Sequence, residues 1–369
     1  MKKYLAATLA AFSAVTIVAD DSSSAIIRLL NSRASGSHKT FAAAAETVAR
    51  DAAEGRPLQQ YVVALVADDP AFPPSAKPSE EVRKKYLDGA RGKITALAER
   101  RNNPLAWYLL SLEKNDLKML ERAAEGGNVQ ALNAWGTITL TEALGNPGIG
   151  TNDIGRILKK SVDCFGKAAA KKDPNGLYNL GMCYLRGYGV ERSENMAFDC
   201  FRTSAEAGHP EAINNIGGFF RDGIVVRKNV ATATRWFRKS AELGNAYGEL
   251  NYALALQRGE GVDKDEKLAA EMLSSSARRG NPEAMNAYAM CLYSGAGVEK
   301  DQASAVQWYR RSASYGFPPA MDNLGSCYER GAGVAKDPVL STVWKVRARA
   351  ARGDRNAAAW LSQNGHSLR

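Results

Sequence analysis

The sequence predicts an all-α protein, a right-handed solenoid of stacked helix pairs, and three observations carry the prediction. A glycine loop recurs at a fixed offset: Gly187-Tyr-Gly-Val, Gly259-Glu-Gly-Val, Gly295-Ala-Gly-Val and Gly331-Ala-Gly-Val share one 36-residue register, with a degraded copy, Gly223-Ile-Val-Val, in the gap. Other columns keep that register, among them Gly208, Gly244, Gly280 and Gly316, then Gly181, Gly217, Ala253, Ala289 and Gly325, and also Ala197, Ala233, Ala269 and Ala305. Such a period marks units that bury their apolar faces only by stacking on neighbours. The composition agrees: 45% hydrophobic residues but only 8% aromatics suit close-packed helices better than a β-sandwich.

Each unit reads as two helices. In the first, Leu180 and Tyr184 are four residues apart and share a face, Gly181 beside them permits close helix approach, and Gly187 ends the helix. In the second, Ala233, Phe237 and Ala241 form an apolar stripe that stops at Gly244, a natural residue just past a helix end.

Five such units run from about Pro174 to Arg352. Upstream, residues 104–173 read as divergent repeats: Gly136 falls in the Gly181 column at a spacing of 45, the extra residues lying in the turn LGNPGIGTND before a helix from about Asp153 to Ala170. Residues 104–127 read as a shortened unit without the glycine loop. Residues 20–103 are helical in pattern, of unassigned type, and interrupted by the Pro-rich surface connection PAFPPSAKPSEE. Residues 353–369 are expected to form a C-terminal cap.

At the N-terminus, Lys2 and Lys3 precede an apolar run from Tyr4 to Ala19, followed by Asp20 and Asp21. That layout predicts a signal peptide over residues 1–19 and export to the periplasm or the cell exterior, with a weak cleavage site. The net charge of +10 is thinly spread except from Lys336 to Arg369, where seven basic residues face two acidic ones. A basic helical face of Lys345, Arg347, Arg349 and Arg352 reads as solvated surface, or as peripheral contact with an anionic envelope surface. No basic and aromatic alternation points to nucleic acid.

Chemistry is sparsely encoded. Phosphate loops need glycines aimed at a helix N-terminus, with a lysine or a preceding strand; here a helix comes first and no Gly-Lys-Ser/Thr follows, so the glycines are expected to form turns. His38, His209 and His366 are too scattered for a metal or acid–base site, and HExxH, GxSxG and CxxC are absent. No catalytic residue, metal or cofactor is expected.

These columns resemble the Sel1-like repeat family, relatives of tetratricopeptide repeats, whose pattern is A-x-x-x-L-G-x-x-Y-x-x-G-x-G-V followed by A-x-x-W-Y-x-x-A-A. The sequence departs from it at Gly223-Ile-Val-Val and at Ala253, where local reshaping is expected. Some secreted relatives staple each helix pair with a disulfide, but here Cys183, Cys291 and Cys327 share one repeat position and Cys164 and Cys200 another. Equivalent positions one repeat apart stand roughly 10 Å apart, beyond the limit of about 7 Å for a bridge, which leaves Cys183 with one of the other column as the only conceivable pair.

In tetratricopeptide arrays the face of the first helices away from the core lines a concave groove, where asparagines and basic residues grip an extended peptide or its terminal carboxylate. The resemblance therefore implies partner-binding residues Asn179, Asn215, Asn251 and Asn323 in one column and Arg186, Arg258 and Arg330 in another. The competing reading is that the asparagines bond neighbouring helix backbones and space the repeats. The function so implied is a non-catalytic scaffold or adaptor for a protein or peptide. The alternative is a cell-wall-related role with weak β-lactam binding or hydrolysis, known of cysteine-rich relatives.

Overall fold

The computed structural model describes residues 38–365 apart from 55, 70, 71 and 147. The expected signal segment, His366 and the side chain of His38 lie outside the described residues. All regular structure among them is helical, in 18 α-helices and one 3-10 turn. The chain divides into two compact units, one ending at Ala212 and the other starting at Ile213.

The first unit contains α1 (His38–Ala53), α2 (Pro57–Val66), a 3-10 turn (Pro74–Ala76), α3 (Glu80–Arg101), α4 (Pro104–Lys114), α5 (Leu117–Glu125), α6 (Val129–Gly145), α7 (Thr151–Ala170), α8 (Pro174–Arg186), α9 (Glu194–Glu206) and the start of α10 (Pro210–Asp222). Its core runs from Ala45 through Tyr61, Ile94, Leu109 and Leu132 to Ala168. The Pro-rich connection is pinned where Phe72 and Pro73 are buried. Glu113 ties α2, α3 and α4 together, accepting from the Tyr61 hydroxyl and from Arg91 Nε at 2.8 Å and Nη2 at 2.6 Å.

The second unit continues with α11 (Val230–Glu242), α12 (Ala246–Arg258), α13 (Glu266–Arg278), α14 (Pro282–Ser294), α15 (Gln302–Ser314), α16 (Pro318–Arg330), α17 (Pro338–Ala351) and α18 (Arg355–Gln363). Each second helix is started by a side-chain cap that recurs in register: Asn229, Asp265, Asp301 and Asp337 each accept from the amide three residues on. Such a cap satisfies an amide that the helix itself leaves bare. Buried Ser276 and Ser312 then donate to the carbonyls of Ala246 and Pro282, both at 2.7 Å, tying the second helix of a pair to the start of the first.

Packing across a pair explains the Gly181 column. A Cβ at Gly217 would stand 2.6 Å from Cε1 of Phe237, and one at Gly181 2.8 Å from the same atom of Phe201. Where the facing residue is Leu273 instead of Phe, position 253 is Ala and both pack in one core. The departure at Ala253 is thus a matched exchange of volume, and its helix keeps the 13 residues of its counterparts.

The expected reshaping at Gly223-Ile-Val-Val is also not seen. The second glycine of the intact loops has φ between 68° and 72° at Gly189, Gly261 and Gly297, and Val225 adopts φ 65° in their place. The amide of Val226 donates to the carbonyl of Ile224 at 2.7 Å, closing a tight turn around it. A β-branched residue is strained there, because Cβ crowds its own carbonyl.

Candidate functional site

The predicted partner residues fall on the first helices of the pairs. Asn179 and Arg186 lie on α8 in the first unit; Asn215 on α10, Asn251 and Arg258 on α12, and Asn323 and Arg330 on α16 lie in the second. All four asparagines are half-buried, whereas Arg186, Arg258 and Arg330 are exposed.

Two of the asparagines are committed to the array. Nδ2 of Asn251 donates to Oδ1 of Asn214 at 2.8 Å, and Nδ2 of Asn323 donates to Oδ1 of Asn286 at 2.9 Å, each reaching one repeat back. These are side-chain bonds between first helices, so both groups serve spacing while keeping a carbonyl oxygen in hand. Arg221 takes up that of Asn251, at 3.5 Å from Nη1, and is itself held by Asp222 at 2.8 and 2.9 Å.

Around Asn323 and Arg330 the second unit opens a groove of about 420 Å³ between α12, α14, α15 and α16. Its apolar part comes from Met290, Tyr293, Tyr309 and Cys327, and its polar part from Gln257, Asn323, Ser326 and Arg330. Met290 is 53% exposed, unusual for so large an apolar side chain. Among the described residues Arg330 has no hydrogen bond or ion pair, and neither has Arg186, whereas Arg258 faces Glu260 at 3.9 Å. Asn251 and Arg258 instead line a separate pocket of about 40 Å³ with Arg221 and Phe237. The structure therefore brings Asn323 and Arg330 together, and Asn251 with Arg258, but does not merge the two pairs into one cleft.

Arg221, Gln257 and Tyr293 were missed by the reading from periodicity. They share a single column, one residue before the Arg186 column. A helical-wheel choice of outward direction is about one residue wide, since each residue turns 100°.

The five cysteines are all buried and unpaired, Cys183 included. Burial pushes the thiol of Cys183 up to about 12 and that of Cys200 up to about 11, so neither is a thiolate at neutral pH. His209 is 7% exposed, stacks on Tyr178 with ring centroids 4.7 Å apart and caps α10 by accepting the Ala212 amide on Nδ1 at 3.4 Å. Burial lowers its pKa to about 4, so the ring is neutral and structural. The basic C-terminal face is largely neutralised: Lys345 pairs with Glu329, Arg349 with Asp354 and Arg352 with Asp322, while Arg347 lies over Trp344 at 4.6 Å. No group of three or more metal-ligating side chains occurs among the described residues, and none of their helices is long and apolar enough to cross a membrane.

Helix pairs in a strict register, with a groove of mixed polar and apolar lining over the first helices, define the class of tandem helical-repeat solenoids. Within that class the Sel1 repeat model matches residues 174–209, 210–245, 246–281, 282–316 and 318–344 of the chain, and these units are Sel1 repeats. It is similar to a Sel1 repeat protein from Oxalobacter formigenes, 27% identical with a TM-score of 0.54, over 63% of this chain and 94% of that one. It is also similar to a protective antigen of uropathogenic Escherichia coli strains displaying an SLR fold, 29% identical with a TM-score of 0.52, over 68% of this chain. The chain spans about half of that antigen's length, 52%. No curated protein matches it. Sel1 repeats commonly mediate protein–protein interaction and typically form non-catalytic scaffolds.

Proposed function

We propose that the protein is an exported, non-catalytic scaffold that holds a peptide or protein segment along the first helices of its second unit. The observation that carries this reading is the groove of about 420 Å³ in which the unpaired guanidinium of Arg330 and the Asn323 side chain stand beside apolar Met290 and Tyr293. Such a surface offers apolar area for affinity, amides to match a peptide backbone and a fork of donors for a carboxylate. Asn251, Arg258 and Asn215 extend the same face, and Asn179 with Arg186 supply its counterpart in the first unit. Burial raises the thiols of Cys291 and Cys327 in the groove, so neither is an activated nucleophile.

Panning a random peptide display library on the purified protein tests the reading. Enriched peptides should bind in fluorescence anisotropy and lose about tenfold or more in affinity with Asn323→Ala plus Arg330→Ala, measured well below the Tm of the double variant, which loses the Asn286 bond, and at unchanged helicity. Enriched peptides that bind the double variant equally well place the site elsewhere. Export is tested separately by sequencing the mature N-terminus, where a start at Met1 or Lys2 overturns it.

A further inference from the structure

The first matched repeat begins at Pro174, and the residue before it caps α8 from a closed site. Asp173 is 0% exposed, and its Oδ2 accepts from the Gly176 amide at 2.8 Å and from Nδ2 of Asn133 on α6 at 2.5 Å. Asn133 is buried as well, at 2%. The other oxygens of this bonded pair, Oδ1 of Asp173 and Oδ1 of Asn133, are both buried without a hydrogen-bond partner. Two bare acceptors on side chains already joined are an expensive arrangement for a carboxylate. A carboxylic acid removes the expense, because it carries an O–H donor where the amide offers an acceptor, and acid and amide then match through two hydrogen bonds.

We infer that Asp173 is a carboxylic acid whose O–H is donated to the side-chain oxygen of Asn133, making a proton-linked joint between α6 and α8 that loosens when the acid ionises. Burial pushes the Asp173 carboxyl up to about 7, outweighing the nearby donors of Gly176, Asn133 and Asn175, which favour its charged form. The charged groups around it do not reverse this. Glu142, the only charge on α6, is exposed; on α7 Lys167 pairs with Asp163 at 3.3 Å; Lys171, exposed, donates to the Gly127 carbonyl at 2.6 Å, and Lys172 is exposed. On α8 the only charge is Arg186, exposed; on α9 Asp199, Arg202 and Glu206 are exposed and Glu194 pairs with Arg192. His209, hydrogen-bonded to Asn175 at 3.1 Å, is neutral, and Glu211 Oε2 stands 3.3 Å from its Nδ1.

Because the folded pKa is raised above the unfolded one, the joint's contribution is complete below about pH 4 and is lost as the pH rises through about 7. The same register position holds Asn245 and Asn281 in later repeats, each a working cap that does not titrate. Asp173→Asn is therefore a variant the fold already accepts elsewhere.

Thermal melts of the full chain and of Asp173→Asn between pH 5 and 8.5 test the joint. The parent should lose several degrees of Tm relative to the variant across that range; parallel profiles overturn the proposal. If the variant does not fold, carboxyl carbon NMR of the parent decides: a midpoint for Asp173 near neutrality supports the joint, and one below pH 5 overturns it.

Discussion

Asn323 donates from Nδ2 to Oδ1 of Asn286 at 2.9 Å, bonding one first helix to the first helix of the preceding pair. The same relationship joins Asn251 to Asn214 at 2.8 Å. An asparagine at this position therefore has a structural duty before any partner arrives. A double-mutant cycle of Asn286→Ala and Asn323→Ala, read by urea unfolding, should give a coupling of about 0.5–1.5 kcal/mol. A coupling near zero means the bond spaces nothing.

Val225 is the clearest case of strain, at φ 65° in a loop whose other copies use glycine, and with 45% of its surface exposed. Val225→Gly should stabilise the protein by about 0.5–1 kcal/mol, the relief of the left-handed conformation exceeding the added entropy of an unfolded glycine. Denaturant melts check the sign; a loss of stability shows that the exposed valine packs more than it strains.

The matched pair at Gly217 and Phe237 makes a rescue prediction. Gly217→Ala should cost about 1–3 kcal/mol, because the new methyl meets the ring and the helices must part. Adding Phe237→Leu, which copies the Ala253 and Leu273 pair of the next repeat, should recover most of that loss. If the double variant is less stable than Gly217→Ala alone, volume matching is not what couples the two positions.

Much of this fold is legible in the sequence because the repeat states it several times. Gly187, Gly259, Gly295 and Gly331 mark the helix ends, and each takes positive φ with an amide that bonds back into the helix it ends. The caps Asn229, Asp265, Asp301 and Asp337 recur as plainly. The partner face is less legible. Periodicity identifies columns, but Arg221, Gln257 and Tyr293, one residue from the Arg186 column, also turn towards the pockets.

The sequence by itself determined the helices, their period and their pairing, since spacing, capping and turn residues are local properties that recur. Tertiary structure decided which copies of a column share a function. Asn251 and Asn323 are drawn into bonds between repeats, Arg258 faces Glu260 while Arg330 stays unpaired, and Val225 takes a conformation its own side chain disfavours. Each of those outcomes depends on what the neighbouring repeat or turn presents across the contact, and a repeat pattern averages over that difference. Asp173 is the sharpest example: along the chain it is an ordinary acidic cap, and only burial against Asn133 makes its proton part of the fold.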